Sequence, residues 1–92
     1  MSDKEPCEFE IAFSEIFRDV LKRLKKKKDV YRRLEEQMDK VTNNPFFGKP
    51  LRNVLKNRRR VHVDPYILLY EIFNNKIMFL DFDHHDKIYK KY

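Results

Sequence analysis

Three consecutive arginines, Arg58–Arg60, are the strongest chemical signal in the sequence. They lie in a segment with the two-residue period of a β-strand, which places Arg58 and Arg60 about 6–7 Å apart on one face, with His62 next in line. The planar guanidinium fork of arginine binds a phosphate group through two parallel hydrogen bonds. We therefore expect this row to contact phosphate, although three arginines could also protect an edge strand against aggregation.

Histidine is the side chain that most readily gains and loses a proton near neutral pH, and the chain has three: His62, His84 and His85. The run from Asp81 to Asp86 has the composition of a metal site, but adjacent residues of an extended chain face opposite ways, so we expect no metal there. The histidine pair is either catalytic or part of a solvated tail. The sequence has no nucleophile elbow, phosphate-binding glycine loop or HExxH motif, which excludes most hydrolase classes.

Length and composition limit what can position these side chains. Ninety-two residues allow a single domain, residues 1–92, and 41% hydrophobic content with 8 Phe and 5 Tyr is enough for a small core. A single cysteine, Cys7, excludes an internal disulfide framework and is expected to act as a small hydrophobic residue. The formal charge of +6 indicates an anionic partner: nucleic acid, an anionic membrane or an acidic protein. No apolar run reaches the roughly 20 residues of a membrane span and no signal peptide is evident, so we expect a cytoplasmic protein.

The first half of the chain predicts a strand and two helices. Residues 7–13 alternate polar and apolar, with Phe9, Ile11 and Phe13 on the buried side. Ser14 is placed to cap a helix that runs to about Lys25, and the apolar positions that we expect on its core face are Phe13, Ile16, Phe17, Val20, Leu21 and Leu24.

Four lysines, Lys25–Lys28, are expected to form an exposed turn, after which Asp29 caps a second helix that ends near Thr42. A loop follows from Asn43 to Pro50, because a residue that precedes proline is disfavoured in a helix.

The second half predicts three strands. The first lies in a two-residue period that starts at Val54 and is closed by the Asp64-Pro65 turn. The other two cover Tyr66–Phe73 and Lys76–Phe82 and are joined by a turn at Asn74-Asn75. The polar tail from residue 84 onward is expected to be a ragged turn or one turn of helix. The predicted fold is α+β, with the order β-α-α-β-β-β and a two-helix hairpin packed on a small, mainly antiparallel sheet.

Several sequence runs, in this order and spacing, resemble the RelE toxins of the RelE/ParE superfamily. These are Asn44-Pro45, Gly48–Arg52, Arg58–Val61 and Tyr66–Ile72, followed by a strand that ends near His84 and by Tyr89. The resemblance covers nearly the whole chain, and the predicted order of strands and helices is also that of the superfamily. It implies an mRNA endonuclease that acts in the ribosomal A site without a metal or other cofactor. In this reaction the 2′-hydroxyl of the RNA attacks the adjacent phosphate, giving a 2′,3′-cyclic phosphate and a 5′-hydroxyl.

The resemblance also assigns roles to residues. The basic residues of the family's second strand match Arg58 and Arg60, and the C-terminal tyrosine matches Tyr89, with Tyr92 as a rival. The chain departs from the family at two positions: Ile67 stands where many members have arginine, and His84 or His85 replaces an arginine near the C-terminus. The expected catalytic residues are Arg58, Arg60, His84, His85 and Tyr89. The expected RNA contacts are Lys49, Arg52, Lys56, Arg59, His62 and Lys87.

The resemblance implies a partner, an acidic RelB-like antitoxin that forms a toxin–antitoxin hetero-oligomer, in addition to the ribosome and mRNA. Two alternatives remain open on the sequence. The missing arginines suit a ParE-like toxin that inhibits a topoisomerase and cleaves nothing. The positive charge alone would suit an RNA-binding module with weak or no catalysis.

Overall fold

A five-stranded mixed sheet with helices on both faces forms the protein. The computed structural model describes residues 9–51 and 57–91. In chain order the elements are β1 (Glu10–Phe13), α1 (Glu15–Leu24), α2 (Lys28–Asn43), β2 (Lys49–Pro50), β3 (Arg58–Val63), β4 (Tyr66–Phe73), β5 (Lys76–His84) and α3 (His85–Lys91). The strands are ordered β1-β5-β4-β3-β2, and all neighbours are antiparallel except the parallel pair β1 and β5.

The α1–α2 hairpin covers one face of the sheet and encloses the main core. Ser14 begins α1: its Oγ accepts a hydrogen bond from the Phe17 N–H at 3.0 Å and donates to the Leu80 carbonyl at 2.7 Å. The serine therefore both caps the helix and ties it to β5. The buried residues of this core are Phe17, Val20, Leu34, Val41, Val61, Val63, Leu68, Tyr70, Ile77, Phe79 and Phe82.

The C-terminal helix α3 covers part of the opposite face. Ile67 and Leu69 alternate with the core residues of β4, so their side chains point away from the hairpin. Both are fully buried, Ile88 of α3 is buried as well, and α3 contacts β4 and β5. A small second apolar layer thus holds α3 on the sheet, and Ile67 belongs to this layer.

A bulge in β5 shifts the alternation of its side chains by one residue. Leu69 pairs with Asp81 and Tyr70 pairs with Phe79, which leaves Leu80 as the extra residue. Because of this shift, Phe79 and Phe82, three residues apart, both lie in the core beneath the helix hairpin, and Asp81 is buried on the opposite face.

The predicted α+β fold and its element order are confirmed. The Asn74-Asn75 turn has positive φ at both residues, 51° and 59°, as a two-residue hairpin turn requires. The sequence prediction missed β2, which pairs only with Arg59 and Arg60 and is too short to show a period.

Four details of the prediction were wrong. Asp29 is not a cap: the helix begins one residue earlier, and Asp29 lies in its first turn, 3.3 Å from Arg32. The tail forms a seven-residue helix because Ile88 is buried against the sheet. Ile11 and Ile16, which were expected in the core, are 44% and 49% exposed, since β1 is an outer strand and Ile16 lies on the flank of α1 beside the buried Phe17.

Cys7, Arg52, Lys56 and Tyr92, to which the sequence analysis assigned roles, lie outside the described residues. Among the described residues, no helix is long and apolar enough to span a membrane.

Candidate active site

Arg58 and Arg60 lie on the sheet face opposite the helix hairpin, but their surroundings differ. Arg58 pairs across β4 with Glu71, and its Nε lies 3.3 Å from Glu71 Oε1. Arg60 pairs across β4 with the uncharged Leu69, so no carboxylate stands opposite it on that strand. Its Nε is buried, and no hydrogen-bond acceptor reaches this atom from the described part of the chain. The two arginines are therefore not equivalent, and Arg60 is better placed to bind an added anion.

Tyr89 stands beside Arg60. The guanidinium carbon of Arg60 lies 5.9 Å from the centroid of the Tyr89 ring, and Tyr89 is 51% exposed. A cation near an aromatic ring is held in place without losing its charge. The pair therefore presents a fixed positive charge and a phenolic hydroxyl close together at the surface of the sheet.

An ion-pair cluster fixes the helix that carries Tyr89. Lys91 Nζ lies 2.9 Å from Asp81 Oδ2 and 3.3 Å from Asp83 Oδ2. Asp81 is only 1% exposed, so the contact with Lys91 offsets the cost of burying a polar side chain. Burial by itself would raise the pKa of Asp83, but the His84 N–H and Lys91 hold it below its ordinary value. The hydrogen bond to Asp81 raises the pKa of Lys91, although partial burial opposes the shift.

The two histidines meet where β5 passes into α3. The centroids of the His84 and His85 rings are 4.7 Å apart, and the His85 N–H donates to the Pro65 carbonyl at 3.0 Å. The expectation that adjacent histidines face opposite ways was wrong, because the chain leaves the extended conformation between them. With Asp86 they bring three potential metal ligands within 4.8 Å of one another.

The expected catalytic residues do not all lie together: Arg58 is far along the sheet from the histidines. Arg58 is level with Glu71 on β4 and His84 is level with Tyr66, a separation of about 17 Å along the strand. His85 and Tyr89 are four residues apart on α3 and share one side of that helix. By helical spacing His85 lies on the side of α3 that carries Tyr89, and the His84 ring lies next to it, with the two ring centroids 4.7 Å apart.

Lys49 and His62 extend the site towards the edge of the sheet. Lys49 pairs with Arg60 in the register of β2 and β3, and His62 is exposed on the same face as Arg60. A shallow pocket of about 290 Å³ lies here, lined by Gln37, Phe47, Gly48, Lys49, Arg60, Val61 and His62. Two of the expected RNA contacts are therefore next to Arg60. Lys87 is exposed on α3 and lies close enough to Asp83 to lower the pKa of that carboxyl.

Arg59 has a different environment from its neighbours. It points to the hairpin side, where its Nη1 donates to the Gly48 carbonyl at 2.6 Å and to the Phe46 carbonyl at 3.4 Å. Its guanidinium carbon also lies 5.0 Å from the centroid of the Phe46 ring. These contacts hold the loop before β2 against the sheet, and RNA binding by Arg59 stays a prediction.

Tyr70 holds the loop before β2 through its hydroxyl group. Its hydroxyl accepts a hydrogen bond from the Gly48 N–H at 2.8 Å and donates to the Pro45 carbonyl at 2.7 Å. Burial raises the pKa of this phenol, so it remains a donor. A Cβ at position 48 would lie 2.8 Å from both the Tyr70 hydroxyl and the Arg60 carbonyl. Only glycine therefore lets the loop pass this close to the sheet.

Sequence reasoning did not foresee the ion pairs of Arg58 with Glu71 and of Lys91 with Asp81. Glu71 could have been found: a turn at residues 64–65 pairs Val63 with Tyr66, and the same count places Arg58 opposite Glu71. Asp81 and Lys91 carried no such signal, because the bulge at Leu80 and the length of α3 decide their meeting.

Comparisons with known proteins agree on one family. The model of a family described as the ParE toxin of the type II toxin-antitoxin system parDE matches residues 11–89. The RelE4 toxin candidate of Methanocaldococcus jannaschii is 38% identical over 87 residues, which cover 90% of this chain and 93% of that protein.

Two solved structures share the fold. The Escherichia coli DinJ–YafQ toxin–antitoxin complex matches with a TM-score of 0.75 and 22% identity over 89% of this chain and 98% of the other. The isolated E. coli RelE toxin matches with a TM-score of 0.72 and 15% identity over 90% and 97% of the two chains.

Proposed function

The chain belongs to the ParE toxin family of type II toxin–antitoxin systems, and on this premise we propose that it is a ribosome-dependent mRNA endoribonuclease that inhibits translation. The observation that carries the proposal is the Arg60–Tyr89 pair on the sheet face, with Lys49 and His62 beside it. A toxin that only blocks a protein surface does not need a cation and proton-transfer groups arranged around one point.

Cleavage by an internal 2′-hydroxyl needs three contributions. The 2′-oxygen attacks the adjacent phosphorus and loses its proton, the bond to the 5′-oxygen breaks, and that oxygen gains a proton. The phosphorane between these steps carries more negative charge than the phosphodiester, so a fixed cation that binds it more tightly lowers the barrier. We assign this task to Arg60, with a smaller contribution from Arg58, whose charge Glu71 offsets.

The proton-transfer groups are on or next to α3. His85 and Tyr89 share a side of this helix, and His84 lies beside His85. Imidazole and phenol both accept and donate protons, so either can act as acid or base when a substrate phosphate bridges it to Arg60. The proposed mechanism uses no metal, and its products are a 2′,3′-cyclic phosphate and a 5′-hydroxyl.

The proposed partners follow from charge and family. A net charge of +6 favours an acidic RelB-like antitoxin, and one structure with this fold is a toxin–antitoxin complex. We propose that residues 1–92 act as one domain in the cytoplasm, where the ribosome and mRNA are available, and that the antitoxin forms a hetero-oligomer with it.

The test is to add the purified protein to a translating extract, with and without ribosomes, and to map the 5′ ends and the 3′-end chemistry of the mRNA. We expect cuts only on ribosome-bound message, with cyclic-phosphate ends. Cuts that appear equally on naked RNA would contradict ribosome dependence, and intact message in both reactions would contradict nuclease function.

A second candidate is a ParE-like toxin that inhibits a topoisomerase, and the description of the matching family favours it. Under this function, expressing cells accumulate DNA breaks while their mRNA stays intact. If both DNA and mRNA stay intact while the protein still binds RNA, the protein is instead a catalytically weak RNA-binding module.

A further inference from the structure

His84, His85 and Asp86 form a cluster of metal-binding side chains. His85 Nδ1 lies 3.0 Å from Asp86 Oδ1, and His84 Nδ1 lies 3.9 Å from Asp86 Oδ2. One ligand atom from each residue falls within 4.8 Å of the others.

These separations suit one tetrahedral ion. Zinc binds histidine nitrogen and carboxylate oxygen at about 2.0–2.2 Å, which places neighbouring ligands of a tetrahedron about 3.4 Å apart. The observed separations, 3.0 Å from His85 Nδ1 to one oxygen of the Asp86 carboxylate and 3.9 Å from His84 Nδ1 to the other, lie on either side of this value. The side chains of His84 and His85 are 43% and 45% exposed, so small rotations about their side-chain bonds can close the difference.

The backbone beneath the cluster is held in place. The His84 N–H donates to Asp83 Oδ1 at 2.8 Å and the His85 N–H donates to the Pro65 carbonyl at 3.0 Å. A ligand set whose backbone is already fixed loses less entropy when it binds an ion. Two imidazoles also select zinc and similar transition metals over magnesium and calcium, which prefer oxygen ligands.

We propose that His84, His85 and Asp86 bind a single Zn²⁺ ion, with the fourth coordination position open to water, and that the bound ion inhibits the protein. The inhibition rests on the proposed nuclease function: zinc takes the lone pair with which His84 or His85 would accept a proton. It also adds positive charge to the side of α3 that carries Tyr89. Zinc binding itself does not depend on any activity.

Binding is tested first, without RNA. Zn²⁺ is titrated into the purified protein by calorimetry, and Co²⁺ replaces it for absorption spectroscopy, in which a tetrahedral site gives an intense visible band. We expect one ion per chain and a loss of affinity of about tenfold or more in Asp86→Ala. Two matched controls, His62→Ala and Cys7→Ser, remove the remaining histidine and the single cysteine, and both should bind as the wild type does.

The outcomes separate the site from the function. Absence of saturable binding, or an equal loss of affinity in His62→Ala and Asp86→Ala, would overturn the site. A wild-type protein that cleaves mRNA and binds zinc, yet cleaves at the same rate with zinc as with a chelator, would overturn the inhibition. If the protein cleaves nothing, the proposed nuclease fails and the calorimetric result still decides whether the site exists.

Discussion

The directions of the arginine side chains on β3 could be predicted from the sequence, but their partners could not. Alternation along a strand correctly put Arg58 and Arg60 on one face and Arg59 on the other, because the pleat leaves no other choice. It did not distinguish the first two, since the distinction depends on Glu71 across the hairpin and on Tyr89 from a helix that the sequence barely indicates. The direction of a side chain follows from the local strand geometry, whereas its ability to bind an anion depends on the residues that the fold places beside it.

Glu71→Gln should strengthen RNA binding. The substitution removes a negative charge from the face that we propose to contact phosphate and breaks the ion pair between Glu71 and Arg58, which is worth about two- to fivefold for a partly exposed pair. Binding to an uncleavable 2′-O-methyl oligonucleotide measures the effect, with the exposed helix substitution Glu35→Gln as the control. Weaker binding by Glu71→Gln would mean that this face does not contact phosphate.

The tyrosines Tyr70 and Tyr89 should show opposite effects. Tyr70→Phe leaves the Gly48 N–H and the Pro45 carbonyl without their partner and should lower the free energy of unfolding by about 1–2 kcal/mol. Tyr89→Phe, at a half-exposed ring, should leave the stability unchanged and reduce cleavage. Denaturant titration and cleavage rates measure the two effects. A Tyr89→Phe variant that cleaves normally would remove its hydroxyl from the proposed mechanism.

At the scale of elements, the central helices and strands could be predicted and the C-terminal helix could not. The strand β4 and the hairpin helices each carry a clear apolar period. The helix α3 buries one apolar residue, Ile88, and gains further support from the contacts of Lys91 with Asp81 and Asp83 on β5. A helix stabilised mainly by distant partners leaves little trace in its own sequence.

Lys91→Ala should loosen α3. It leaves the buried Asp81 without its lysine and should cost about 1–2 kcal/mol, a value that allows for the partial exposure of Lys91. Cleavage should fall as well, because α3 positions Tyr89 beside Arg60. The matched control is the neighbouring exposed substitution Lys90→Ala, which should change neither property.

The pH dependence of this loss follows from the two shifted groups. The pKa of Asp83 is lowered on folding, so its contribution is present above its ordinary value of 3.8 and is lost as the pH falls through the lower folded value. The pKa of Lys91 is raised, so its contribution is present below 10.5 and is lost as the pH rises through the higher folded value. The stability difference between the wild type and Lys91→Ala should therefore be constant between these limits and shrink outside them. A difference that varied steadily across neutral pH would contradict the ion-pair account.

At the scale of the whole molecule, the excess of basic residues predicted an anionic partner without locating it. The fold separates the charges: the turn lysines Lys25–Lys27 lie at the end of the helix hairpin, whereas Lys49 and Arg60 lie together on the sheet. The net charge determines the overall attraction to RNA, but the strand order and register determine which basic side chains lie at the proposed active site.

Salt dependence distinguishes these two groups of cations. Each phosphate contacted on a single strand contributes about −0.7 to the slope of log K against log salt concentration. Lys49→Ala should make the slope shallower by about this amount, and Lys26→Ala, in the exposed turn, should leave it unchanged. Equal effects from both would indicate diffuse attraction instead of a defined interface.

The most direct test of the account is the cleavage rate of Arg60→Ala in a translating extract, measured as the formation of 2′,3′-cyclic phosphate ends on ribosome-bound mRNA. The control is Arg32→Ala, which removes the same charge from the exposed surface of α2. We expect Arg60→Ala to cleave about 10²–10³ times more slowly with an unchanged unfolding midpoint, and Arg32→Ala to cleave at the wild-type rate. A folded Arg60→Ala variant that cleaves as fast as Arg32→Ala would contradict the assignment of this sheet face as the active site.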